Sequence, residues 1–141
     1  IWIGDWELKH EITAPNLEVT GWLFISDDVY KNLNRVDVIL QTSLWEGLPI
    51  ALLESMAFHK PIVATNVIGN KDIVEHSQNG FLFNKIEDLE DLIPLFENKA
   101  LCDEMGEKSY ELCKIKFDSQ KNFSELAKIY TSSILSWFLF R

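Results

Sequence analysis

At 141 residues with 47% apolar side chains, the chain can bury one sizeable core and is short for two. Lys and Arg number 13 against 22 Asp and Glu, and the formal net charge of −9 argues against nucleic acid or an anionic membrane surface as a partner. The basic residues lie scattered among acids, no apolar run is long enough to span a bilayer, and His10, His59 and His76 are too dispersed for a zinc site. Cys102 and Cys113 fit no metal or redox motif and read as reduced thiols, which together with the lack of a signal-peptide pattern predicts a cytoplasmic protein.

Taken in chain order, strand-like runs alternate with helix-like ones, the pattern of an α/β domain with a parallel sheet. Residues 1–3 read as a strand and 7–12 as a short, weakly marked helix. A strand at 17–20 and a helix at 27–33 follow, with Ser26 as N-cap and Asp27 and Asp28 in the first turn. Then come a strand at 37–41, a helix at 49–58, a strand at 62–65, a helix at 71–76 and a short strand at 81–83. Beyond residue 86 the pattern is helical throughout, with helices predicted over 87–97, 100–115 and 119–135. Leu89, Leu92, Ile93 and Phe96 form an apolar stripe on the first of these, and Asp118-Ser119 starts the last. The run from Ile134 to Phe140 is apolar all round and calls for a second surface, which a neighbouring domain supplies most simply.

The densest chemistry lies between strand 37–41 and strand 62–65. Glu46 and Glu54 stand eight residues apart, across the start of a helix that Pro49 opens. A helix starting just past the carboxyl end of a parallel strand points unpaired N–H groups into a crevice where anions and phosphates bind. Glu54 shares a face with Ile50 and Ala51, and helical side chains lean toward the N-terminus, so its carboxylate points back at that mouth. With Leu52, Leu53, Met56 and Ala57 around it, Glu54 is expected in an apolar setting that demands a hydrogen-bonding partner. Two acceptor groups beside a row of backbone donors suit a ligand with both phosphate and hydroxyls, such as a sugar nucleotide. Alternatively, the pair is simply solvated, as most helical glutamates are.

Seen together, these residues form an ordered series. Ser43, Glu46-Gly47-Leu48-Pro49, Glu54-Ser55-Met56-Ala57, Lys60-Pro61-Ile62-Val63-Ala64-Thr65, Gly69 and Asn79-Gly80-Phe81-Leu82 follow one another in sequence. This series resembles the C-terminal, donor-binding half of the GT-B glycosyltransferases of family 4, and the resemblance extends from about Ile1 to Tyr130. It implies an α/β, Rossmann-like parallel sheet with flanking helices, from which the family's first strand is missing. It implies that Glu54 binds the ribose hydroxyls of a nucleotide-sugar donor such as a UDP-, GDP- or ADP-sugar. Glu46 is then the catalytic carboxylate, facing the donor sugar near its anomeric carbon. The backbone around Gly47, Leu48, Pro49 and Ile50 takes the sugar hydroxyls and diphosphate, and Leu53, Gly21 and Trp22 lie near the ribose and base. Enzymes of this kind mostly retain anomeric configuration and need no metal or other cofactor, and the chain has no Asp-x-Asp triplet.

Three departures follow. His59 stands where the family usually has Gly, at a position wanting a left-handed backbone. Asn70 and Asp72 replace the usual Gly and Glu of the loop after strand 62–65. The family's diphosphate-binding Arg and Lys have no counterpart in this sequence. The expectation is therefore one lobe, residues 1–141, of a longer two-domain enzyme, its closing helix, residues 118–141, contacting an absent N-terminal domain that binds a glycan or lipid-linked acceptor. Peripheral membrane association of the full protein, and a homo-oligomer that fills the gap left by the first strand, are compatible with this expectation. A catalytically silent interaction module and a relative such as a nucleotide-sugar 2-epimerase are the rival readings.

Overall fold

The computed structural model describes residues 1–3 and 14–139. The expected helix at 7–12 lies outside the described residues, as do the side chains of the apolar run Ile134 to Phe140. Three strands form one parallel sheet in the order β1 (Ile39–Gln41), β2 (Ile62–Thr65), β3 (Gly80–Phe83). Ile39 lies opposite Ile62, and Ile62 opposite Gly80, so the carboxyl ends of the strands come out on one side of the sheet. The connecting helices are α2 (Ile50–Ala57) and α3 (Ile68–Ile73), preceded by α1 (Ser26–Arg35). After β3 come α4 (Leu89–Leu92), α5 (Lys99–Lys116) and α6 (Ser119–Leu139).

The strand expected at 62–65 is present over those same residues, because four successive residues with β-branched or small side chains, buried on both faces, suit a central parallel strand. The predicted strands at 1–3 and 17–20 shrink to a single parallel bridge between Trp2 and Val19, held by Trp2 N–H to the Glu18 carbonyl and Thr20 N–H to the Trp2 carbonyl. Among the described residues neither pairs with β1. The continuous helix predicted over 87–97 is interrupted. Short 3-10 turns at Ile86–Asp88 and Ile93–Glu97 flank the single α-helical turn of α4. Pro94 explains the break, since it has no N–H to donate and its ring crowds the preceding turn. Ile93 consequently leaves the stripe and is exposed, while Leu89, Leu92 and Phe96 still pack with Val63 and Phe83. Ser26 opens α1 but does not cap it; the cap position falls to Ile25, without a side-chain bond. The helix predicted at 71–76 begins and ends earlier, as α3, and leaves His76 to bridge Gly80 and accept the Leu82 N–H.

The main core lies between the sheet and α2 and α5, where Leu52, Met56, Ile62, Ala64, Ile73, Val74 and Leu112 are buried together. Helix α5 crosses close over the end of α2. A Cβ on Gly106 would lie 2.2 Å from the His59 carbonyl oxygen, so no larger residue fits there. His59 has the left-handed backbone expected of it (φ 55°). Its ring stacks on Tyr110 at 4.1 Å and shares a hydrogen bond with Glu107, which gives it a packing role in place of the usual glycine.

Both cysteines are free thiols, Cys102 buried and Cys113 half-buried. Burial pushes both above the ordinary thiol range, and Asp37 reinforces the effect at Cys102. Both should therefore remain protonated and resist iodoacetamide at neutral pH in the folded protein, then alkylate fully in denaturant. Mass spectrometry of the labelled protein reads this directly, and fast labelling of the native state would contradict the packing.

Candidate functional site

The site is built where β1 ends and α2 begins. Pro49 is buried at the cap position of α2, with its carbonyl accepting the N–H groups of Leu52 and Leu53. The N–H groups of Gly47, Leu48, Ile50 and Ala51 find no acceptor among the described residues. Those of Ile50 and Ala51 open α2 at the positive end of its dipole, a setting that favours an anion. A Cβ placed on Gly47 would meet nothing within 4 Å, so the space above this backbone is open.

Glu46 is half-buried at the rim, where Gln41 Nε2 donates to its Oε1 at 2.8 Å. Glu54 is half-buried on α2, and no donor reaches its carboxylate among the described residues. The helix around it differs from expectation. Ile50 is 68% exposed and Ala51 is exposed, whereas Leu52, Ser55 and Met56 carry the buried face. Glu54 is thus on the open face of α2 with Ile50 and Ala51, not enclosed by apolar neighbours, and a group that stays hydrated has no need of an internal partner. Leu53 packs its side chain against the core and lies beneath this face.

The loop from Thr42 to Leu48 is supported from below by residues that sequence reasoning did not assign to that task. Thr65, the last residue of β2, donates its hydroxyl to the Ser43 carbonyl. Asn70, fully buried at the start of α3, gives its amide hydrogens to the Thr65 carbonyl at 2.9 Å and hydroxyl at 3.1 Å. The Thr65 carbonyl can only accept, which fixes the amide orientation and leaves Asn70 Oδ1 as a buried acceptor without a partner. Gly69 brings α3 against the loop so closely that a Cβ there would lie 2.2 Å from the Gly47 carbonyl oxygen. A polar residue ending an apolar strand (Gln41) and a Gly-Asn pair opening a short helix were the visible signals.

Gly21 takes a left-handed backbone (φ 71°) in the segment before α1, and Trp22 is 66% exposed beside it. No hydrogen bond or ring contact among the described residues joins either to the segment from Glu46 to Glu54. No cluster of three His, Cys, Asp or Glu side chains among the described residues could hold a metal ion. No helix among them is long and apolar enough to cross a membrane.

Comparison with known proteins fits this arrangement. The family model for glycosyl transferases group 1 matches residues 2–95. An uncharacterized glycosyltransferase of Haemophilus influenzae is 47% identical over 122 residues, covering 74% of this chain and 35% of its own length. The UDP-Gal:alpha-D-GlcNAc-diphosphoundecaprenol alpha-1,3-galactosyltransferase of Escherichia coli is 32% identical over 100 residues, covering 64% of this chain and 25% of its own. Among solved structures, Anabaena HepE in complex with UDP and glucose superposes with a TM-score of 0.75 at 22% identity, over 84% of this chain and 32% of that one. That likeness speaks for the fold, which is the fold of a GT-B glycosyltransferase C-terminal domain. The chain spans about a quarter to a third of the length of these relatives. With the motif series, the sheet and the family match in agreement, the chain belongs to the glycosyl transferases group 1 family.

Proposed function

We propose that the chain is the donor-binding lobe of a family 4, GT-B glycosyltransferase that moves a sugar from a nucleotide-sugar to a glycan or lipid-linked acceptor, with retention at the anomeric carbon. The observation that carries this reading is the pairing of two half-buried carboxylates, Glu46 and Glu54, with the unpaired N–H groups of Gly47, Leu48, Ile50 and Ala51. Glu54, free of internal partners, accepts from the ribose hydroxyls. The four amides take the diphosphate and sugar hydroxyls, in keeping with the dipole of α2, and Glu46 faces the reacting carbon. Leu53 supports Glu54 from the core side, and Gly21 and Trp22 flank the base. The reaction proceeds without a metal or other cofactor, the amides of α2 meeting the charge of the leaving diphosphate. The acceptor is bound by a second lobe that covers α6, whose side chains from Ser119 to Ser132 are all exposed. The working location is the cytoplasm or the cytoplasmic face of a membrane.

Calorimetric titration of UDP, GDP and ADP into the full-length protein tests the reading. One nucleotide should bind, and Glu54→Ala should weaken it about 10- to 100-fold, the worth of roughly 1.5–3 kcal/mol in hydrogen bonds to a charged group. If the wild-type protein binds none of the three, the silent interaction module becomes the better account.

A further inference from the structure

Gln41 ends β1, opposite Ala64 of β2. Its half-buried carboxamide donates Nε2–H to Glu46 Oε1 at 2.8 Å, a hydrogen bond strengthened by the charge of the acceptor. A carboxylate offers acceptors alone, so the amide can face it only through its nitrogen. Among the described residues no other group donates to Glu46, which leaves Oε2 uncommitted. The backbone on either side of Glu46 is held separately, by Thr65 at the Ser43 carbonyl and by the contact of Gly69 with Gly47. Those two supports fix where the loop runs. They do not fix where the Glu46 side chain points, and Gln41 is the described group that does.

We infer that Gln41 is a positioning residue for Glu46, holding Oε1 so that Oε2 is presented to the donor sugar. The inference rests on the donor-lobe reading and deepens it. A neutral amide suits the task, because it orients the carboxylate without cancelling its charge, as a lysine or arginine would.

Donor hydrolysis by the full-length protein tests it, with UDP-, GDP- and ADP-glucose as probes. In this reaction the bond between sugar C1 and the diphosphate oxygen breaks, a C1–O bond to water forms, the water proton passes to buffer and the nucleoside diphosphate leaves. Gln41→Met, nearly isosteric but without the donor, should lower kcat about 10- to 100-fold, the scale of loss for a misplaced reacting group. KM and the Kd of the matching nucleoside diphosphate should stay within about twofold. In a Glu46→Ala background the same substitution should cost nothing further, since a residue acting through Glu46 has nothing left to position. Gln41→Leu, similar in size and without a donor or a charge, should show the same split and guards against a folding defect peculiar to the methionine variant. Unchanged kcat in both variants, or an equal loss in the Glu46→Ala background, would overturn the positioning role while leaving the donor lobe intact. A wild-type protein that neither binds the nucleotides nor hydrolyses the donors would overturn both.

Discussion

Glu46→Gln in the full-length protein should cut turnover by about two to three orders of magnitude while nucleotide affinity changes by no more than about twofold. The reasoning is electrostatic. As the bond to the leaving diphosphate stretches, positive charge develops on the donor sugar, and an anion beside it stabilises that state more than the ground state. A unit charge at ~4 Å in an effective dielectric of ~20 interacts by about 4 kcal/mol, so neutralising it without changing its shape removes up to about a thousandfold in rate. Glu54 should behave in the opposite way. Its partners are ribose hydroxyls that are the same before and during bond breaking, so Glu54→Ala should act on binding and spare kcat at saturating donor. Steady-state kinetics with a parallel nucleotide titration separates the two. Equal effects of each variant on kcat and on affinity would contradict this division of labour.

That Glu46 lies just before helix α2 and Glu54 upon it was legible in sequence, but their surroundings were legible only in part. Ser43 to Pro49, Glu54 to Ala57 and Lys60 to Thr65 are local patterns, and local patterns carry strand β2, helix α2 and the family with them. Burial is not local. The apolar run from Ile50 to Ala57 reads as a mostly buried helix, yet Ile50 and Ala51 face outward, because which faces are covered depends on where α5 and the sheet happen to lie. The supports of the Glu46 loop were hidden for the same reason. Gln41 reaches five residues along the chain, but Thr65 reaches back 22 to Ser43, a contact that needs β1 and β2 already paired in register. Pro94 could have been read correctly from the sequence. The stripe of Leu89, Leu92 and Phe96 masked a residue whose missing N–H was bound to interrupt the helix.

Gly69→Ala should be the most damaging small substitution near the site, although Gly69 touches no proposed ligand. Its added Cβ would lie 2.2 Å from the Gly47 carbonyl oxygen, 2.8 Å from the Gly47 carbonyl carbon and 3.0 Å from the Glu46 carbonyl carbon, all backbone atoms that cannot rotate away. Relief requires the loop and α3 to part by about 1 Å, since packed interiors leave no slack for an extra methyl. Helix α3 resists on its side: Asn70 is tied to Thr65, and Ile73 is fully buried in the main core. The loop therefore moves, straining the Gln41–Glu46 and Thr65–Ser43 hydrogen bonds and turning the amides of Gly47 and Leu48 off target. The expected result is a loss of about 1–3 kcal/mol in stability from overpacking, with turnover down about 100-fold from a displacement of that size. Gly47→Ala is the informative contrast. Its Cβ meets no protein atom within 4 Å, so thermal stability should hold while donor binding weakens, because the methyl projects into the space a ligand would occupy. The pair thus separates a glycine kept for packing from one kept for ligand approach. Thermal melts and nucleotide titrations on both variants decide it, and a stable, fully active Gly69→Ala would mean that the Glu46 loop adapts freely and is not held by α3.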